Sequence, residues 1–105
     1  MIEAKFLYSK DGVCAGFEVC GHSGFADSGF DIVCSAVSCA VQMCCNGITE
    51  VIGACADIFV DSDTVSLKIK SDDERVQVLL ESLKMELGLL KENYSDNVSL
   101  CVLEV

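Results

Sequence analysis

Apolar and polar side chains alternate along the first twenty residues. Ile2, Ala4, Phe6 and Tyr8 are separated by more polar neighbours, and Val13, Ala15, Phe17 and Val19 repeat the pattern. A period of two is that of a β-strand. Lys10-Asp11-Gly12 supplies a turn between the runs, so the two read as a hairpin. The alternation stops at Gly21-His22. From Gly21 to Gly29 the chain carries three glycines with Ser23, Asp27 and Ser28, the composition of a loop.

Helical spacing follows. Asp31 is a good N-cap, and no charged residue occurs from Ile32 to Thr49. Ser35, Ser38, Gln42 and Asn46 recur at helical intervals and form one polar stripe. The pattern predicts a helix buried over most of its girth, with a narrow face toward solvent, a site or a partner. The run is long enough to raise the question of a membrane span. The stripe argues against it, and no membrane association is expected. Asn46-Gly47 is a stop for the helix.

Ala54, Ala56, Ile58 and Val60, then Val65, Leu67 and Ile69, alternate on either side of Asp61-Ser62-Asp63, a second hairpin. Ser71-Asp72-Asp73-Glu74 opens a second helix, whose buried stripe is Val76, Leu79, Leu80, Leu83, Leu87 and Leu90. Asn97 to Val105 is strongly apolar and reads as a central strand. The order is β-β-α-β-β-α-β. It predicts an α+β fold, a single sheet with two helices packed on it, in one domain over residues 1–105.

Charge narrows the partners. The net charge is -10, from 17 acidic and 7 basic residues. Phosphate backbones repel such a surface, so no direct nucleic-acid contact is expected and a basic protein is the more natural partner. Met1-Ile2-Glu3-Ala4-Lys5 is not the start of a secretory signal, so a cytoplasmic location is expected. The eight cysteines then read as reduced, small hydrophobes in a core. Cys20-x-His22 and vicinal Cys44-Cys45 lack the paired spacing of a zinc site, so neither metal nor cofactor is expected.

His22 is the only histidine, twelve residues before Cys34. With Asp31 as N-cap, Cys34 falls at the third helical position. There the first-turn amides and the helix dipole favour a thiolate and offer an oxyanion hole. An imidazole within reach can take the thiol proton and later protonate a leaving amine. Asp31 either caps the helix or orients His22. Ser38, one turn beyond Cys34, belongs either to the site or to the polar stripe. The glycine-rich loop, with Phe25 and Phe30, is either a lid over a peptide or an ordinary connection. One Cys and one His are also compatible with a core cysteine beside a surface histidine.

Gly21-His22-Ser23-Gly24, followed by Asp31-Ile32-Val33-Cys34-Ser35-Ala36-Val37-Ser38, resembles the ribosomal-processing cysteine protease family of bacteria. That family's pattern is G-H-x-G and then D-I-V-C-x-A-x-S. The resemblance implies a homodimeric endopeptidase that removes the N-terminal extension of a large-subunit ribosomal protein, cutting after an aromatic-rich motif. It makes Cys34 the nucleophile, His22 the general base, and Asp31 and Ser38 supporting residues. A mobile loop containing Gly21, Ser23, Gly24, Phe25 and Gly29 would admit the substrate. The departure is cysteine richness at Cys39, Cys44 and Cys45, which bears on oxidation sensitivity. The competing readings are a non-catalytic peptide-binding or ribosome-assembly module, and a thiol redox protein. The last is disfavoured because no Cys-x-x-Cys is present.

Overall fold

The computed structural model describes residues 1–21 and 28–105, with side chains described through residue 21 and from residue 32 onward. Five strands form one sheet: β1 (Ile2–Tyr8), β2 (Cys14–Cys20), β3 (Ala56–Val60), β4 (Thr64–Ile69) and β5 (Val98–Glu104). Two helices complete the fold, α1 (Ser28–Asn46) and α2 (Glu74–Asn93). The β-β-α-β-β-α-β order and the α+β class are as the alternation predicts. Spatially the strands run β3-β4-β2-β1-β5; β1 and β5 are parallel, and the other neighbours are antiparallel.

The register explains the core. Phe6 sits opposite Phe17, which sits opposite Leu67; Ala4 sits opposite Val19. Side chains two apart share a face, so Ile2, Ala4, Phe6, Phe17, Val19 and Leu67 point to one side, where all are buried. Val33, Val37, Val41, Cys44 and Ile48 join them from α1, and Val76, Leu80, Leu83 and Leu87 from α2. The Phe6 and Phe17 rings meet at 6.0 Å between centroids.

α2 is capped at its start and tied to Tyr8 of β1 near its middle. Asp73 is its N-cap, accepting from the Arg75 backbone N–H at 2.8 Å, and the Arg75 guanidinium holds the Asp73 carboxyl down to about 2. Midway along the helix, Lys84 donates to the Tyr8 hydroxyl at 2.8 Å and lies over its ring, while that hydroxyl donates to Glu81.

Four expectations are corrected. α1 begins at Ser28, three residues before Asp31, so Asp31 lies inside the first turn and is not the N-cap. α1 ends at Asn46 where the Asn46-Gly47 stop is expected, yet Gly47 does not turn the chain: the backbone continues as a π-helical turn, Gly47–Val51, and the positive φ, +77°, falls at Gly53. Gly47 is small for a different reason, since a side chain there would press on Leu79 of α2. β5 is an edge strand, not a central one, and Cys101, Val102, Leu103 and Glu104 are exposed. Its apolar residues reflect packing of Val98 and Leu100 under α2 at one end only. Finally, α1 buries one face rather than most of its girth. Ile32 and Met43 are exposed beside the polar stripe, because both helices lie on the same side of the sheet and each keeps an outer surface. The stretch Ile32–Val51 is long and apolar enough to cross a membrane by composition. Its Val33-Val37-Val41-Ile48 face is part of the protein core.

Candidate active site

Cys34 is the seventh residue of α1. It is half-buried and packs against the core beside fully buried Val33. Its place differs from the third helical position that an Asp31 cap would give. Only the first four N–H groups of a helix lack intrahelical acceptors. By the i→i−4 pattern the Cys34 amide is instead committed to the Phe30 carbonyl. The free first-turn amides lie roughly 6–9 Å back along the axis, and the dipole's influence fades over the same distance. The helix start thus lies more than one turn from Cys34.

His22, Ser23, Gly24 and Phe25 lie outside the described residues. Gly29 and Asp31 are placed by backbone alone, both in the first turn of α1. Gly21 is the last described residue before His22. Its φ is +96°, and its N–H donates to the Asp63 carbonyl at 2.9 Å. The turn between β3 and β4 thus holds the end of β2.

Ser38 is exposed, one turn beyond Cys34 on the same helical side. It lines a cavity of about 290 Å³ together with Val41, Gln42 and Cys45 of α1 and residues Asp61 to Val65. In the sequence Asp61-Ser62-Asp63 reads only as a turn. Its approach to the polar stripe of α1 depends on the sheet order, which periodicity does not encode. Asp61 closes that turn: its Oδ1 accepts from the Asp63 and Thr64 backbone N–H groups at 3.0 and 2.9 Å.

The other cysteines divide by environment. Cys14, Cys44 and Cys45 are buried, and all eight cysteines are free thiols. Burial pushes the Cys44 thiol up to about 12, with Cys45 and Cys14 adding to the effect. Burial also raises Cys14 and Cys45. Cys39, Cys55 and Cys101 are exposed. Among the described residues no group of three or more His, Cys, Asp or Glu side chains converges as a metal site would require.

The ribosomal processing cysteine protease Prp of Bacillus subtilis is 28% identical over 105 residues, covering 93% of this chain and 94% of that protein. The Staphylococcus aureus protein of the same description is 25% identical over 103 residues, covering 95% and 97%. A Streptococcus mutans protein of solved structure superposes with a TM-score of 0.88 at 26% identity, covering 100% of this chain and 96% of the other. The Staphylococcus aureus ribosomal processing protease Prp, solved in complex with a substrate peptide, matches in fold. Its TM-score is 0.90 at 21% identity, covering 97% and 99%. The same protease has been solved with a covalently linked product peptide. The family model described as cysteine protease Prp matches residues 1–99, so the chain belongs to that family of cysteine proteases.

Proposed function

We propose that this chain is a cysteine endopeptidase that removes the N-terminal extension of a bacterial large-subunit ribosomal protein, with Cys34 as nucleophile and His22 as general base. The position of Cys34 carries this reading. It is half-buried on α1, one turn before Ser38, at the head of an exposed polar stripe that leads into a cavity. Membership of the family and the peptide complexes of the Staphylococcus aureus protease add support.

The chemistry runs in two halves. The Cys34 thiol gives its proton to the His22 imidazole, and the sulfur attacks the scissile carbonyl. The tetrahedral intermediate collapses as His22 returns the proton to the leaving amine, freeing the new N-terminus. The extension remains as a thioester on Cys34. Water, deprotonated by His22, attacks that thioester and releases the extension as an acid. The Cys34 amide is spent within α1, so donors for the oxyanion come from other groups. Ser38 serves as a supporting hydroxyl on the same side of the helix.

The net charge of -10 favours encounter with a basic ribosomal protein. In this reading the enzyme acts in the cytoplasm as a homodimer and meets its substrate through protein contacts, without RNA or cofactor. The test is incubation of the extended precursor with wild type, Cys34→Ala and His22→Ala, read by intact mass. A single trimmed product from wild type, with none from Cys34→Ala, supports the proposal. No product from folded, reduced wild type removes it in favour of a peptide-binding module.

A further inference from the structure

The cavity beside Ser38 has a chemically divided lining. Val41 and Cys45 of α1 and Val65 of β4 give it apolar walls. Asp61 and Asp63 border it from the β3–β4 turn, with Ser38 and Gln42 on the α1 side, and no lysine or arginine is among its described lining residues. Asp61 and Asp63 are both exposed at the rim. A carboxylate accepts about four hydrogen bonds. The two backbone bonds to Asp61 Oδ1 therefore leave about half of its capacity, and an ionised carboxylate, for a ligand.

We infer that this cavity is a substrate subsite that takes a lysine or arginine side chain. The inference rests on the endopeptidase reading. The methylene stem lies along Val41 and Val65, and the cationic head reaches Asp61 and Asp63. Long basic side chains bury their stems while keeping the charge at a polar rim, which is the division this cavity offers. An aromatic side chain would fill the same walls but leave the carboxylates without a counter-charge.

A peptide laid along α1 would set the position in the substrate. Ser38 to Cys45 lie four to eleven residues beyond Cys34, about 6–16 Å along the axis. An extended peptide advances about 3.3 Å per residue. The basic residue therefore belongs roughly two to five residues from the scissile bond.

The test uses quenched peptides spanning the bond mapped in the precursor, with lysine or norleucine at each of five positions on either side. Wild type and the double variant Asp61→Asn/Asp63→Asn are compared by kcat/KM. Asparagine keeps the Oδ1 acceptor that closes the turn, so the fold is retained. At one position, two to five residues from the bond, wild type prefers lysine about fivefold, the size an exposed ion pair supplies. The double variant brings that ratio close to one, and high salt weakens it in wild type. A lysine preference at no position, or one that survives in the double variant, overturns the inference. Cleavage of neither series instead removes the endopeptidase reading beneath it.

Discussion

Gly21 lies directly against Met1: a Cβ on Gly21 would overlap the Met1 carbonyl oxygen. The same residue has a φ of +96° and donates its N–H to the Asp63 carbonyl. Three constraints thus converge on the residue before His22, and only glycine satisfies the first two. Gly21→Ala adds about 1–2 kcal/mol of backbone strain and displaces Met1 from its place beside β1. We expect a total loss of about 2–4 kcal/mol, the range of the more severe single substitutions. Urea unfolding measures it. A midpoint unchanged from wild type would show that the strand ends rearrange freely.

Gln77 acts as a partner for a strand end. Its Oε1 accepts from the Cys14 N–H at 2.9 Å, and its Nε2 donates to the Cys14 carbonyl at 2.8 Å. Cys14 is fully buried, next to a bulge between Leu7 and Tyr8. Gln77→Leu keeps the bulk and removes both bonds, leaving two backbone groups without their partner. The expected cost is about 1–3 kcal/mol. Gln77→Glu restores only the acceptor and falls between the two. Equal stability of all three proteins in urea would contradict this role.

The buried thiols set the alkaline limit of stability. Cys44 is raised to about 12, first by burial and then by Cys45 and Cys14. An unfolded cysteine titrates near about 8.5. Between these values the unfolded chain has lost a proton that the folded one keeps. The contribution is therefore whole below about 8.5 and declines as pH rises toward the folded value. Stability should fall across pH 9 to 11, and Cys44→Ala should flatten that slope. In the native protein near pH 7.5, iodoacetamide should label Cys39, Cys55 and Cys101 and spare Cys14, Cys44 and Cys45 until unfolding. Equal labelling of Cys44 in the native state would contradict its burial.

Local patterns in the chain are legible where one residue's neighbours in sequence decide its state. The two hairpins follow from alternation, and Asp73 is recognisable as the cap of α2. The start of α1 is not, because Asp31 before an apolar run has the same composition as a cap. Gly47 resembles a stop, yet its small size serves the approach of Leu79 from α2. The apolar stretch Val98–Val105 suggests a strand covered on both sides. Its pairing with β1 alone is a property of the sheet order. For the same reason the resemblance around His22 and Cys34 points to the chemistry, whereas the Asp61–Val65 wall of the cavity stays hidden until the strands are assembled.

The central claim is that Cys34 carries the acyl group during peptide cleavage. The most direct measurement is acid quenching of the enzyme with the extended precursor during turnover, followed by mass analysis of the peptides. The account predicts an adduct equal to the N-terminal extension, less one water, on the peptide containing Cys34 and absent from Cys34→Ala. An adduct on another cysteine, or trimming by the Cys34→Ala protein, would contradict it.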